Sequence, residues 1–167
     1  MRRLCLILLC GLVAVPTALA AAHATGDGVF ELKAGAGVIV LNGTRGTLWG
    51  QMDSGKLIVT DPFLGDGAIL VSGAESKMPG LNENTMIYTG KDIHLRVTGG
   101  KYRLWFKGSG VDLTAVGVGS ATMTADVFAY DPGDYSLDNT DKWTPLPYLT
   151  RTVRFGVQPA PTPPTFP

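Results

Sequence analysis

The sequence predicts an all-β domain built as an antiparallel β-sandwich. Short runs of β-branched and aromatic residues recur along the chain, and glycine pairs and Asn or Asp turns separate them. No stretch beyond the N-terminal segment has the apolar periodicity of an amphipathic helix. About eleven such strands are typical of a sandwich, with a closed β-barrel as the alternative. A parallel β-helix is a minor alternative, because glycine-rich short strands also suit solenoids, although no fixed repeat period supports one.

The predicted strands are bounded by the turn residues on either side of each apolar run. In chain order they cover residues 29–33, 37–41, 46–51, 56–60, 68–71, 86–89, 93–98, 101–107, 111–116, 121–125 and 152–155. Residues 72–84 are predicted to be a long polar loop, since they contain the turn pair Pro79-Gly80.

The N-terminus has the three parts of a secretory signal. Arg2 and Arg3 supply a positive start, residues 4–15 are apolar, and A-x-A cleavage motifs occupy residues 18–20 and 22–24. We therefore expect residues 1–24 to be removed, with cleavage after residue 20, 22 or 24. The mature protein would then be secreted or held in the cell envelope.

An uncleaved membrane anchor is the competing interpretation of residues 4–22. A spanning helix needs about 20 apolar residues, and Pro16 lies where this helix would have to continue. Cys5 and Cys10, the only cysteines, both lie in the signal. A mature domain without cysteine excludes disulfides, zinc–thiolate sites and thiol nucleophiles.

We expect one all-β domain at residues 25–156, followed by a proline-rich tail at residues 157–167. The tail has five prolines in 11 residues and is predicted to be extended and flexible. Without Arg2 and Arg3 the chain keeps 12 basic residues against 14 acidic ones. Nucleic-acid binding, which requires a strongly basic balance, is therefore not expected.

Residues 93–116 are predicted to form a three-stranded meander with one buried face. Gly99-Gly100 and Gly108-Ser109 are two-residue turn signals, and Asn42-Gly43 is a similar signal earlier in the chain. The first turn aligns residues 93–97 with residues 102–106, and the second turn aligns residues 102–106 with residues 111–115. With period-two alternation, the predicted buried side chains are Ile93, Leu95, Val97, Tyr102, Leu104, Phe106, Val111, Leu113 and Ala115.

The opposite face of this meander is the predicted binding surface. It aligns Arg96 with Arg103 and His94 with Trp105, and it brings Lys107 beside Asp92. Two arginines facing each other across a strand pair repel, and a bound anion would relieve that repulsion. The hypothesis is therefore a site for an acidic cell-wall polymer or glycan formed by His94, Arg96, Arg103, Trp105 and Lys107.

A plain solvated face is the competing interpretation of the same residues. Asp112 is aligned with Trp105 and would neutralise the arginine pair. Long basic side chains are also common on exposed sheets, where they discourage aggregation. Trp49 and Trp143 are expected to be buried, which is the common role of a single tryptophan in a small domain.

An acid-rich stretch at residues 131–141 offers a secondary candidate for calcium. Its ligands would be Asp131, Asp134, Asp138 and Asp141, since calcium prefers several oxygen ligands. The stretch lacks the spacing of the twelve-residue calcium loop, and its Asp, Gly, Pro and Asn residues are also those that turns require. Turn formation is the favoured interpretation, so no metal site is predicted.

The sequence contains few residues in patterns that are typical of catalytic sites. His94 is the only histidine that lies clearly beyond the cleavage region, and no G-x-S-x-G or phosphate-binding glycine loop occurs. We therefore expect a non-catalytic protein without a cofactor. A self-assembling structural protein is the alternative, and a small hydrolase using His94 is a further one.

Several segments together resemble uncharacterised secreted β-rich proteins of actinobacterial type. The matching stretches are residues 99–104, 108–117, 135–137 and 145–147, all in the C-terminal half of the predicted mature chain, and the resemblance rests on glycine-spaced hairpins. The resemblance implies bacterial export and a β-rich fold. It implies no ligand and no catalytic residue.

Overall fold

The computed structural model describes residues 26–138 and 140–156. The predicted signal and the predicted proline-rich tail lie outside these residues. The described residues contain eight strands: β1 (Gly28–Thr60), β2 (Gly67–Ser72), β3 (Ser76–Pro79), β4 (Thr85–Gly99), β5 (Tyr102–Ala125), β6 (Asp134–Leu137), β7 (Thr144–Pro145) and β8 (Arg151–Phe155).

No part of the described chain forms a helix long and apolar enough to cross a membrane.

All strand pairs are antiparallel and belong to one hydrogen-bonded sheet, which confirms the predicted all-β class. The main path through the sheet is β2-β4-β1-β5-β8, with β3 beside β4 and β6 and β7 beside β1. Its end strands, β2 and β8, do not pair with each other within the described residues. The sheet is therefore not closed into a cylinder, and the parallel β-helix alternative is wrong.

The sheet folds over into two layers because β1, β4 and β5 each pass from one layer to the other. The front sheet contains residues 28–36 and 46–54 of β1, 91–99 of β4 and 109–117 of β5, flanked by β2 and β6. The back sheet contains residues 37–43 and 55–60 of β1, 85–90 of β4, and 102–108 and 119–125 of β5, flanked by β3 and β8.

Glycines mark the corners where the strands change layer. They recur every nine residues, at positions 28, 37, 46 and 55 of β1 and at positions 90, 99, 108 and 117 of β4 and β5. A Cβ on Gly55 would lie 2.3 Å from the Lys107 carbonyl oxygen, and one on Gly108 would lie 2.0 Å from that of Ser54. Neighbouring backbones thus approach so closely at the corners that no side chain fits there.

Each corner also reverses which side chains of β1 point inward. The buried positions are Leu32 before Gly37, Ile39 and Leu41 after it, and then Leu48 beyond Gly46. Side chains alternate with period two, and successive corners are nine residues apart. Because nine is odd, the inward side chains change between even-numbered and odd-numbered positions at each corner. One continuous strand can therefore supply the core from both layers.

The core between the layers contains all nine side chains predicted to be buried in residues 93–116. Those of the front sheet, such as Leu95 and Leu113, face those of the back sheet, such as Leu104 and Phe106. Burial raises the pKa of Tyr102 from 10.0 to about 12, because the charged phenolate loses its hydration there.

The predicted pairing of these strands is wrong, although their buried face is confirmed. β4 and β5 do not pair, because residues 47–60 of β1 lie between them. Gly99 and Gly100 both have positive φ, yet Thr98 pairs with Thr47 and Tyr102 pairs with Gly43. The chain therefore turns the corner together with β1 and does not fold back on itself.

Two further predicted turns lie inside continuous strands. Gly108-Ser109 lies within β5 and Asn42-Gly43 lies within β1, so neither pair closes a hairpin. The predicted loop at residues 72–84 contains β3, and two more short strands, β6 and β7, were not expected. The eleven predicted strands fall within β1, β2, β4, β5 and β8, except that the one predicted for residues 101–107 begins one residue before β5.

Candidate ligand groove

The predicted basic face is divided between the two sides of the sandwich. His94 and Arg96 lie on the outer side of the front sheet, whereas Arg103, Trp105 and Lys107 lie on the outer side of the back sheet. The predicted opposition of Arg96 and Arg103 is therefore wrong. The physical reason is the inserted β1 strand, which separates β4 from β5.

The true cross-strand neighbours differ for each of these residues. Arg96 lies opposite Trp49 and Leu70, and Arg103 lies opposite Asn42 and Thr60. The remaining neighbours are Gln51 and Ser72 for His94, Val40 and Ile58 for Trp105, Val38 and Lys56 for Lys107, and Gln51 for Asp112.

A groove of about 880 Å³ crosses the outer side of the front sheet and includes His94 and Arg96. Two rows of side chains form its floor, each with one residue per strand segment. The first row is Leu70, Arg96, Trp49, Thr114 and Glu31, and the second is Ser72, His94, Gln51 and Asp112, with Lys33 at the β1 irregularity beyond them. Trp143 also lines the groove.

Trp49 is a principal aromatic surface of this groove. It is 49% exposed, which contradicts the expectation that it is buried. Leu48 and Met52 occupy the inward positions of the same strand, so alternation directs Trp49 and Gln51 outward. The sequence pattern Leu-Trp-Gly-Gln-Met at residues 48–52 carried this signal.

Trp143 is a second aromatic side chain in the groove and is only partly buried. It directly precedes β7, which pairs with β6 and so extends the front sheet beyond β1. The Lys33 ammonium lies 3.9 Å from the centre of the Trp143 ring, a cation–π contact that fixes the position of the ring. Sequence analysis missed this residue because β6 and β7 are too short for periodicity to predict.

Asp112 organises the floor between the two tryptophans. Its Oδ1 accepts a hydrogen bond of 2.7 Å from the Ala34 backbone N–H, and its Oδ2 accepts one of 3.3 Å from Gln51 Nε2. Ala34 has φ +51, a left-handed conformation at the β1 irregularity between Leu32 and Gly35. The carboxylate therefore supports this irregularity and also orients the Gln51 amide.

His94 contributes an exposed imidazole near the β2 side of the groove. Its Nε2 lies 3.3 Å from Asp92 Oδ1, and both side chains are largely exposed. Ser72 is its cross-strand neighbour, but no hydrogen bond joins the two side chains. His94 therefore adds one exposed polar side chain to this end of the groove.

The four aspartates of the calcium candidate are not gathered around one point. Nowhere in the described part of the chain do three His, Cys, Asp or Glu side chains form a group that could hold a metal ion. Asp131 Oδ1 accepts a hydrogen bond of 3.0 Å from the Gly133 backbone N–H, which is the turn role expected for it. Asp134 lies in β6, and Asp138 has φ +57 just after it.

Comparison of the chain with protein-family models, curated proteins and solved structures finds no match.

Proposed function

We propose that this is an exported, non-catalytic protein of the cell envelope or extracellular space that binds a glycan chain in the front groove. The observation that carries the proposal is the placement of Trp49 and Trp143 in one groove, with hydrogen-bonding side chains between them. The secretory signal predicted at residues 1–24 is the reason for proposing this location.

Ring stacking is the first argument for a sugar ligand. Sugar rings present flat C–H faces that pack on aromatic side chains, and the half-exposed Trp49 offers such a surface. Binding sites for small ligands are concave and largely apolar, with a few polar groups that fix orientation. Here Gln51, Asp112 and Thr114 provide donors and acceptors beside the Trp49 ring.

The charges of the groove favour a neutral or weakly acidic glycan. Arg96 and Lys33 are balanced by Glu31 and Asp112 among the residues that line it. A strongly acidic chain would meet two carboxylates there, and like charges at close range repel. An acidic polymer therefore has less support as the ligand of this groove than a glycan has.

The dimensions of the groove favour a chain over a single sugar. Its floor runs across five neighbouring strand segments, from β2 to residues 31–33 of β1. Strands are about 4.8 Å apart, so four spacings give roughly 19 Å. Several linked sugar rings fit along that length.

The test is co-sedimentation of the secreted protein with isolated bacterial cell-wall polysaccharide at 0.1 M and 1 M NaCl. We expect Trp49→Ala and Trp143→Ala each to weaken binding at least tenfold, a loss of about 1.4 kcal/mol. Retention at 1 M salt is expected, since stacking is not screened whereas the Debye length falls to about 3 Å.

Trp105→Ala on the back sheet is the matched control and should bind like the parent protein. The proposal fails if Trp49→Ala and Trp143→Ala retain full binding. It also fails if 1 M salt removes all binding, because charge alone would then account for retention.

A further inference from the structure

A second cavity, also of about 880 Å³, lies at one edge of the sandwich, where the strands turn between the sheets. It follows the corner glycines Gly37, Gly55, Gly90 and Gly108. Three exposed lysines line it, Lys56, Lys91 and Lys107, and we name it the lysine trough. This cavity contains none of the residues that line the front groove.

The lysines of the trough repel one another in the free protein. Lys56 and Lys107 are direct cross-strand partners in the back sheet, and like charges in that position are destabilising. Lys91 lies around the corner, opposite Ser54. Within residues 26–138 and 140–156, no carboxylate forms an ion pair with any of the three.

Two acidic residues, Glu75 and Asp126, also line the trough, and neither forms an ion pair with its lysines. The Asp126 carboxylate accepts a hydrogen bond of 3.0 Å from the Phe128 backbone N–H, so it is engaged in its own turn. Glu75 lies against Gly90 on the outer side of β4, just before β3. With three lysines against two carboxylates, the lining of the trough keeps one net positive charge.

The trough also offers hydroxyl groups. Those of Ser54 and Ser109 lie 3.1 Å apart beside Gly55 and Gly108. The lining therefore combines ammonium and hydroxyl groups, both of which can donate hydrogen bonds to an anion.

We propose that the lysine trough binds phosphate groups of a polyanion. Lysine ammonium groups act as point charges suited to phosphate oxygens, whereas planar recognition of carboxylates favours arginine, which the trough lacks. Binding would remove the repulsion between Lys56 and Lys107. The proposal does not depend on the glycan groove, since the two sites share no residue.

The experiment is isothermal titration of the intact protein with sodium tripolyphosphate at 50 mM and 500 mM NaCl. We expect saturable binding at low salt and at least tenfold weaker binding at high salt, because exposed charges are screened. The double variant Lys56→Gln/Lys107→Gln should bind at least tenfold more weakly than the parent protein.

Lys77→Gln/Lys101→Gln is the matched control, because it removes the same charge from side chains outside the trough, near Tyr88 and Phe63. It should bind within twofold of the parent protein. Equal losses in both double variants would overturn the proposal, since binding would then follow net charge, and so would the absence of binding at 50 mM salt.

A stability measurement keeps the test independent of folding defects. Lys56→Gln should raise the thermal midpoint of the unliganded protein, because it relieves repulsion, while it weakens tripolyphosphate binding. Trp49→Ala should leave tripolyphosphate binding unchanged. A lowered midpoint in Lys56→Gln would contradict the repulsion on which the site is argued.

Discussion

The two outer sides of the sandwich differ in character although each carries a tryptophan on a central strand. On the front sheet, Trp49 lies between Arg96 and Thr114 and is 49% exposed. On the back sheet, Trp105 lies between Val40 and Ile58 and is partly buried. The same residue type is thus available to a ligand on one face and packed into the surface on the other.

This difference teaches that cross-strand neighbours, and not residue type, determine whether an outward aromatic ring is free to bind. Trp105 has β-branched cross-strand neighbours on both sides, and such aromatic pairs stabilise a sheet. Polar neighbours leave Trp49 open and surround it with hydrogen-bonding groups. The back face therefore contributes stability, and the front face carries the proposed site.

The largest effect on stability is expected from replacing a corner glycine, because the corners hold both faces of the sandwich in place. In Gly55→Ala, the new Cβ would lie 2.3 Å from the Lys107 carbonyl oxygen, at a residue with φ +142. We expect a loss of about 3 kcal/mol in the free energy of unfolding, combining overpacking with backbone strain. Urea unfolding measures it.

Gly65→Ala separates the two causes of that loss. Gly65 also has positive φ, at +98, but nothing lies within 4 Å of the Cβ position. Backbone strain alone should cost about 1 kcal/mol. Similar losses in both variants would show that close backbone approach at the corners is not what requires glycine.

Alternation of side chains was the part of the fold that the sequence predicted well. Period two placed residues such as Leu95, Leu104 and Leu113 in the core, because each strand between corners has one apolar and one polar face. This inference needs only local sequence. It holds whichever strands are neighbours.

Pairing was not predictable from the turn signals alone. Gly99-Gly100 adopts positive φ as expected, but a glycine pair permits both a hairpin and a corner. The outcome depends on residues 47–60, which lie about 40 to 50 positions before this glycine pair and insert between β4 and β5. Glycines spaced nine residues apart are the sequence signal that distinguishes corners from hairpins. The spacing is hard to recognise as a repeat, because the segments between the glycines share only the alternation of apolar and polar side chains.

The candidate site was predicted only in part, because it depends on the same strand pairing. Arg96 and His94 were selected correctly as outward residues of β4, and both line the groove. Their assigned partners, Arg103 and Trp105, lie on the other side of the sandwich because the pairing was wrong. Trp143 depends on the short strands β6 and β7, whose few residues carry no detectable period.

The two tryptophans themselves offer the next test of the contrast between the faces. Trp105→Ala should lower the free energy of unfolding by about 2 kcal/mol, because it removes packing against Val40 and Ile58. Trp49→Ala should lower it by less than about 1 kcal/mol, since half of that side chain is already exposed. Thermal or urea unfolding of both variants gives the comparison, and equal losses would remove the distinction between a packed and an open tryptophan.

An effect smaller than that of Trp105→Ala sharpens the description of the front face. Asp112→Ala removes the acceptor of the Ala34 N–H and the partner of Gln51, so the irregularity of β1 loses its support. We expect a loss of about 1 kcal/mol in stability, the usual net contribution of a side-chain hydrogen bond. Glycan binding should weaken by more than the loss of stability explains, because the Gln51 amide is no longer oriented.

Asp92→Asn is the control for that variant. It removes a carboxylate from the same face, and the partner of that carboxylate is the exposed His94. Exposed pairs of this kind contribute little to the free energy of unfolding. Its unfolding curve should overlay that of the parent protein. If Asp112→Ala also unfolds like the parent and binds glycan normally, the floor of the groove does not depend on this carboxylate, and Trp49 and Trp143 must be positioned by packing alone.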